Sequence, residues 1–128
     1  MKKILTLLTV IILSAGMQAK AAMSFEDAFK QSDSKPMLVL IYAQWAEGYT
    51  NYLQTFRSAQ KEFGDKFNYV ELDIANADAK FFNSRYHIYP NLPYILMFRD
   101  GGRVSRYVQN NCAEKDACLF PKIRTFLN

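Results

Sequence analysis

Cys112 and Cys118 are the only cysteines in this chain of 128 residues, so any thiol chemistry is confined to them. Two cysteines can form a structural disulfide, act as a redox-active dithiol, or remain free thiols. The N-terminus described below predicts export, and an even number of cysteines in an exported chain is usually paired. We therefore predict a structural disulfide, which over so short a loop stabilises a small fold by about 2 kcal/mol.

The backbone around the cysteines has two interpretations. Asn111-Cys112-Ala113-Glu114 could be a capping box that begins a helix at Cys112. Cys118 would then lie about 9 Å along the helix axis, too far away to form a disulfide. Alternatively, Pro121 is the first helical residue and residues 110–119 form a loop that a disulfide can close. Because proline inside a helix removes a hydrogen bond, the loop is the preferred prediction.

Other residues whose side chains could bind a metal or act in catalysis are isolated in the sequence. His87 is the only histidine and has no cysteine, second histidine or carboxylate at ligand spacing. Glu47 opens a helical pattern, where a carboxylate complements the helix dipole. The chain contains no Gly-rich phosphate loop, no Ser–His–Asp arrangement and no paired-carboxylate motif. We therefore predict no metal, no cofactor and no catalytic residue.

Residues 1–21 have the pattern of a secretory signal peptide. Lys2 and Lys3 are basic, the run from Ile4 to Ala15 is apolar, and Ala19-Lys20-Ala21 is a small-x-small cleavage pattern. The apolar run is too short to span a bilayer as a helix. The sequence thus predicts a periplasmic or secreted protein with no stable membrane insertion after cleavage.

Residues 22–128 carry little net charge. Three of the 16 basic residues lie in the signal segment, which leaves 13 basic residues against 12 acidic ones. A net charge near +1 gives no indication of a nucleic-acid partner. The remaining length suits one small domain with a single core.

Helical and strand patterns alternate in the order α-β-α-β-α-β-β-α. The predicted helices cover 24–29, 47–63, 77–86 and a short segment around 123–127; the predicted strands cover 37–42, 67–73, 94–98 and 104–108. The turn Asp100-Gly101-Gly102 joins the last two strands as a hairpin. Parallel strands followed by a hairpin predict a three-layer α/β/α sandwich with a mixed central sheet.

Several local motifs, in the right order, resemble the thioredoxin fold family over roughly residues 35–127. Lys35-Pro36-Met37-Leu38-Val39-Leu40 is similar to the family's Lys-Pro-Val-Leu-Val-Asp strand, and Ala43-Gln44-Trp45 to its Ala-Glu-Trp. Tyr86-His87-Ile88 up to Leu92-Pro93 is similar to its Tyr-Gly-Ile through Ile-Pro segment, with one residue inserted. Phe98-Arg99-Asp100-Gly101 resembles its Phe-Lys-Asn-Gly hairpin. The resemblance implies a thioredoxin-like three-layer sandwich.

The resemblance also places the residues on which the family's chemistry depends. Ala46 and Tyr49 stand where the family has the two cysteines of Cys-x-x-Cys, and Leu40 stands at its buried aspartate. Neither Ala46 nor Tyr49 can form a thiolate, so dithiol–disulfide exchange is not possible at this site. The three changes agree with one another, which favours a member without the usual activity.

One family feature is retained. Pro93 stands at the position of the family's cis-proline, where the preceding backbone, here that of Leu92, pairs with an extended substrate chain. The alternative is that Pro93 only shapes a turn. The sequence places Trp45, Tyr49 and Tyr94 around this position, together with Tyr89. Aromatic side chains at one end of a fold favour a contact surface, although Tyr49 could instead line the core.

Three hypotheses about function follow. The first is an exported thioredoxin-like protein, inactive at the usual redox site, that binds a protein or peptide partner in the cell envelope through Trp45, Tyr49, Leu92, Pro93 and Tyr94. Its role would be that of an adaptor, a chaperone-like factor or an envelope-assembly subunit. The second is a periplasmic thiol-disulfide oxidoreductase that works through Cys112 and Cys118. The third is a purely structural domain.

Overall fold

The computed structural model describes residues 23–88 and 90–128, so the predicted signal peptide and Tyr89 lie outside the described residues. Within this part of the chain, four α-helices and four strands alternate in the predicted order. The helices are α1 (Phe25–Lys30), α2 (Tyr49–Phe63), α3 (Asp78–Arg85) and α4 (Asp116–Leu127), and the strands are β1 (Met37–Tyr42), β2 (Asn68–Asp73), β3 (Tyr94–Arg99) and β4 (Val104–Val108). Short 3₁₀ turns cover Gly64–Lys66, Asp100–Gly102 and Asn110–Cys112.

The strands form one mixed sheet in the order β2-β1-β3-β4. β1 is parallel to β2 and antiparallel to β3, and β3 and β4 form the antiparallel hairpin. β1 is an uninterrupted apolar run, and its first five residues are buried. Such a run is typical of a central strand that is covered on both faces.

Helices cover both faces of the sheet, so the α/β/α sandwich predicted from the sequence is confirmed. On one face, Leu38 and Leu40 pack in a buried cluster with side chains of α2 and α4. On the other face, Met37, Val39 and Ile41 pack with side chains of α1 and α3. Successive residues of a strand point to opposite faces, which explains this division of β1.

Local signals at the helix ends agree with the bounds of α1 and α2. The Ser24 hydroxyl accepts a hydrogen bond from the Asp27 N–H at 3.2 Å and caps α1. α2 begins at Tyr49, two residues later than predicted, because Gly48 before it is in the left-handed region with φ 78°. Gly64, with φ 56°, ends α2 as predicted.

The predicted start of the last helix is wrong. α4 begins at Asp116, and Pro121 lies inside it. Leu119 and Ile123 are fully buried on the face of α4 that packs on the sheet. Burying two such side chains contributes about 1.5–3 kcal/mol each, which matches or exceeds the cost of about 3 kcal/mol for an interior proline. The apolar stripe therefore outweighs the proline rule.

No helix among residues 23–88 and 90–128 is both long enough and apolar enough to cross a membrane.

Candidate binding surface

The loop from Ala43 to Gly48 lies at the end of the sheet where β3 begins. Ile41 and Tyr94 are Cα partners in the antiparallel pairing of β1 with β3, which brings the residues after β1 next to those before Tyr94. The Trp45 loop and the Leu92–Pro93 segment therefore lie at the same end of neighbouring strands. The sequence resemblance had implied the same juxtaposition.

Trp45 is the largest exposed apolar side chain in the described residues. Its relative exposure is 75%, whereas Ala43 and Ala46 on either side of it are buried. A turn holds these flanking residues, because the Ala46 N–H donates to the Ala43 carbonyl at 2.9 Å. The loop is thus anchored by its alanines, and the indole is presented to solvent.

Tyr49 is half-buried and packs back against the sheet. Its ring stacks on Tyr42, with centroids 5.9 Å apart and an interplanar angle of 8°. Burial raises the pKa of the Tyr42 phenol, and the carboxylates of Asp73 and Glu71 raise it further. Tyr42 was missed at the sequence level because it ends an apolar strand. The sequence signal that could have identified it is the tyrosine side chain itself, whose apolar ring and polar hydroxyl suit a partly exposed position.

The Leu92–Pro93 peptide bond is cis. Leu92 is half-buried, but Pro93 is buried, and Tyr94 is fully buried with its ring 5.0 Å from that of Tyr107. The prediction that Tyr94 offers a contact side chain is therefore wrong, and the Pro93 ring is also unavailable. Helices cover both faces of β3, so a residue of this strand faces a buried layer whichever way it points. The accessible candidates are Trp45, Tyr49 and Leu92.

Cys112 and Cys118 form a disulfide, so the predicted pairing is confirmed. Their sulfurs are 2.08 Å apart and their Cα atoms 4.9 Å apart. Cys112 ends a 3₁₀ turn and Cys118 lies in the first turn of α4, so the two residues are not separated along one helix axis. Both residues are half-buried.

The disulfide segment begins at the same end of the sheet as the Trp45 loop. β4 runs antiparallel to β3, and its last residue, Val108, is the Cα partner of Ile95. The Gln109 side chain donates from Nε2 to the Asn91 carbonyl at 3.3 Å and links the two segments. This end of the sheet therefore holds both the exposed indole and the approach to the disulfide.

No group of three or more His, Cys, Asp or Glu residues within the described ranges could hold a metal ion. His87 is exposed.

Comparisons with solved structures agree on the fold. Thioredoxin f2, from a complex with ferredoxin:thioredoxin reductase, is similar with a TM-score of 0.64 and 18% identity, covering 81% of this chain and 88% of that one. Spinach chloroplast thioredoxin f has a TM-score of 0.62 and 18% identity, covering 80% and 85%. The germline-specific thioredoxin Deadhead of Drosophila melanogaster has a TM-score of 0.59 and 15% identity, covering 82% and 97%.

No protein-family model matches the sequence, and no curated protein is significantly similar to it. At these identities the structural similarity concerns the fold alone. The chain has a thioredoxin-like fold.

Proposed function

We propose that this protein is exported and binds an extended segment of another protein at the surface formed by Trp45, Tyr49 and Leu92, without dithiol chemistry at that surface. The single observation that carries the proposal is the 75% exposure of Trp45 on a loop whose flanking alanines are buried. A tryptophan side chain has only two torsion angles, so it loses little conformational entropy on contact, and it buries a large area.

Chain composition supports the absence of thiol exchange at this surface. The two cysteines are bonded to each other in the 112–118 segment, so no sulfur atom is present on the loop before α2. The backbone of Leu92 would pair with the bound segment by strand addition, and the Trp45 and Tyr49 side chains would contact its side chains. An adaptor, a chaperone-like factor and an envelope-assembly subunit all need this kind of contact.

Trp45 is the only tryptophan, so its fluorescence reports directly on the proposed surface. We suggest titration with oxidised insulin B chain, an unfolded polypeptide without tryptophan. The proposal expects a saturable blue shift of Trp45 emission and, by calorimetry, binding that Trp45→Ala weakens by about tenfold or more. Lys61→Ala is the control, because Lys61 is exposed and lies near the end of α2 that is distant from the Trp45 loop. Unchanged emission, or equal losses in both variants, would reject the proposal.

A thiol-disulfide oxidoreductase that works through Cys112 and Cys118 is the second candidate. It is favoured by one observation: Cys118 lies in the first turn of α4 and is half-buried. After reduction, a thiolate there would face the positive end of the helix dipole, which stabilises thiolates. A reduction potential between roughly −120 and −230 mV would support this candidate, whereas a value below about −300 mV would mark a structural bond.

A further inference from the structure

A groove lies between α4 and the β3–β4 hairpin, on the face of the sheet covered by α2 and α4. The pairing of β3 with β4 places Arg106 opposite Met97, and Arg99 follows Met97 by two residues. Residues two apart on a strand and residues directly opposite across an antiparallel pair share a face. Met97 is buried in the cluster with α4, so both arginines extend from this same face.

The groove is lined by both cationic and apolar side chains. Its volume is about 360 Å³. Its cations are Arg99, Arg106 and Lys122, and its apolar surface includes Met97, Val108 and Phe126. No carboxylate residue is among its lining residues. The volume is at the lower end of the range of about 300–1,000 Å³ that is typical of small-molecule sites.

The cations of this groove are weakly neutralised by the protein. Arg106 donates from Nη1 to the Ser105 carbonyl at 3.2 Å, and neither Arg106 nor Lys122 forms an ion pair with any residue that the structure describes. Like charges that converge on a partly enclosed space raise its positive potential, and a bound anion lowers the electrostatic energy. The groove therefore favours negative ligands.

Arg99 is the third cation of the groove, and together with Phe126 it forms one wall. Its guanidinium lies 5.3 Å from the centroid of the Phe126 ring, in a cation–π contact. Its Nε atom is buried, lies 4.0 Å from the nearest Asp100 oxygen, and makes no hydrogen bond within the described residues. Arg99 also borders a second cavity, but Asp33 and Asp100 line that one, so it carries charges of both signs, unlike the groove.

We propose that this groove binds a small amphiphilic organic anion. The negative headgroup, a carboxylate or a phosphate monoester, would lie between Arg106 and Lys122, which can both donate charge-assisted hydrogen bonds. The apolar part of the ligand would lie against Val108 and Phe126. This site does not include the Trp45 loop, so it is independent of the function proposed above.

The test is calorimetric titration of the purified protein with three probes: 1-naphthyl phosphate, neutral 1-naphthol and inorganic phosphate. The proposal expects saturable binding of 1-naphthyl phosphate with a Kd below about 1 mM, and weaker binding of the other two by about tenfold or more. Titration with 1-naphthoate separates the two headgroup classes. Absence of binding by both 1-naphthyl phosphate and 1-naphthoate, or binding of 1-naphthol with an affinity equal to theirs, would overturn the proposal.

Paired charge variants locate the binding site. The double variant Arg106→Gln, Lys122→Gln should bind 1-naphthyl phosphate about tenfold or more weakly. Its control is Lys61→Gln, Lys80→Gln, which removes the same charge from exposed lysines on α2 and α3. Circular dichroism and thermal unfolding establish that both double variants are folded. Equal weakening in the two double variants would show a general charge effect and contradict a site in the groove.

Discussion

The stacked rings of Tyr42 and Tyr49 join the last residue of β1 to the first residue of α2, with centroids 5.9 Å apart. The loop that carries Trp45 lies between these two residues. Because each ring belongs to a regular element, the contact closes the loop at its base. Tyr49 therefore supports the loop as well as bordering the candidate binding surface.

This stacking should appear as a coupling free energy between the two tyrosines. We expect a double-mutant cycle with Tyr42→Leu and Tyr49→Leu to give about 1 kcal/mol, which is typical of aromatic pairs beyond their buried area. Denaturant unfolding of the four proteins measures it. Tyr42→Leu combined with Tyr107→Leu is the control, because β3 lies between the strands of these two residues and their side chains belong to opposite faces of the sheet. A coupling near zero in the first cycle would contradict the supporting role of Tyr49.

Trp45 should make almost no contribution to folding stability. Its side chain is 75% exposed, and Trp45→Ala should change the free energy of unfolding by no more than about 0.5 kcal/mol. Tyr94→Ala provides the contrast, because that side chain is fully buried and its loss should cost about 3 kcal/mol or more. Chemical denaturation compares the two variants. A large loss for Trp45→Ala would mean that the indole supports the core, which would weaken the case for a contact role.

The disulfide should stabilise the fold by constraining the unfolded chain. Cys112 and Cys118 are six residues apart, and the loop-closure model gives about 2 kcal/mol for so short a loop. The variant Cys112→Ala, Cys118→Ala should therefore lose about 2 kcal/mol in denaturant unfolding, and reduction of the wild-type protein should produce a similar loss. Unfolding energies that do not change on either treatment would contradict a stabilising disulfide.

Tyr69 should make stability fall at alkaline pH. Its hydroxyl donates to the Gly64 carbonyl at 2.7 Å, and burial, with the Asp65 carboxylate as the smaller cause, raises its pKa to about 12. An unfolded tyrosine has a pKa of about 10. The pKa of Tyr69 is higher in the folded protein than in the unfolded chain. The neutral Tyr69 side chain therefore contributes its full stabilisation below about pH 10, and this stabilisation is lost as the pH rises toward 12. The loss is on the order of 2 kcal/mol.

Tyr69→Phe isolates this effect from the titration of lysines and of other tyrosines. At pH 8 the variant should be about 1 kcal/mol less stable than wild type, because it lacks one hydrogen bond. Between pH 10 and 12 the wild type should lose more stability than the variant, so that the difference narrows or reverses. Denaturant unfolding of both proteins between pH 8 and 12 measures this difference. Parallel stability profiles for wild type and variant would contradict the raised pKa of Tyr69.

Most of the fold was predictable because local patterns and global packing agree. The apolar run of β1 has the bounds that the sequence predicts, and the helical spacing of α2 matches its buried face. The start of α4 was not predictable from local rules. Pro121 indicates a helix start, but the burial of Leu119 and Ile123 depends on a sheet that only the folded chain provides.

The candidate surfaces depend more strongly on tertiary structure. The exposure of Trp45 and the burial of Tyr94 are set by which layers cover the end of the sheet, and the two residues look equally suited to contact in the sequence. The basic groove was not predicted at all. Arg106 lies on a strand and Lys122 on a helix, and only the packing of α4 against the hairpin brings these cations to one cavity.

Gly102 should be the glycine least tolerant of substitution in the β3–β4 turn. Its φ is +86°, and a Cβ atom there would lie 2.6 Å from the Tyr86 hydroxyl oxygen and 3.0 Å from the Phe29 ring. Gly48 is the matched control: its φ of +78° is similar, but a Cβ would meet nothing within 4 Å. Gly48→Ala should therefore lower the free energy of unfolding by only about 1–2 kcal/mol, which is the cost of a left-handed backbone conformation for alanine. Gly102→Ala adds a steric clash with two aromatic side chains, and we expect an additional loss of at least about 1 kcal/mol. Equal losses for the two variants in denaturant unfolding would show that the turn relaxes away from Tyr86 and Phe29.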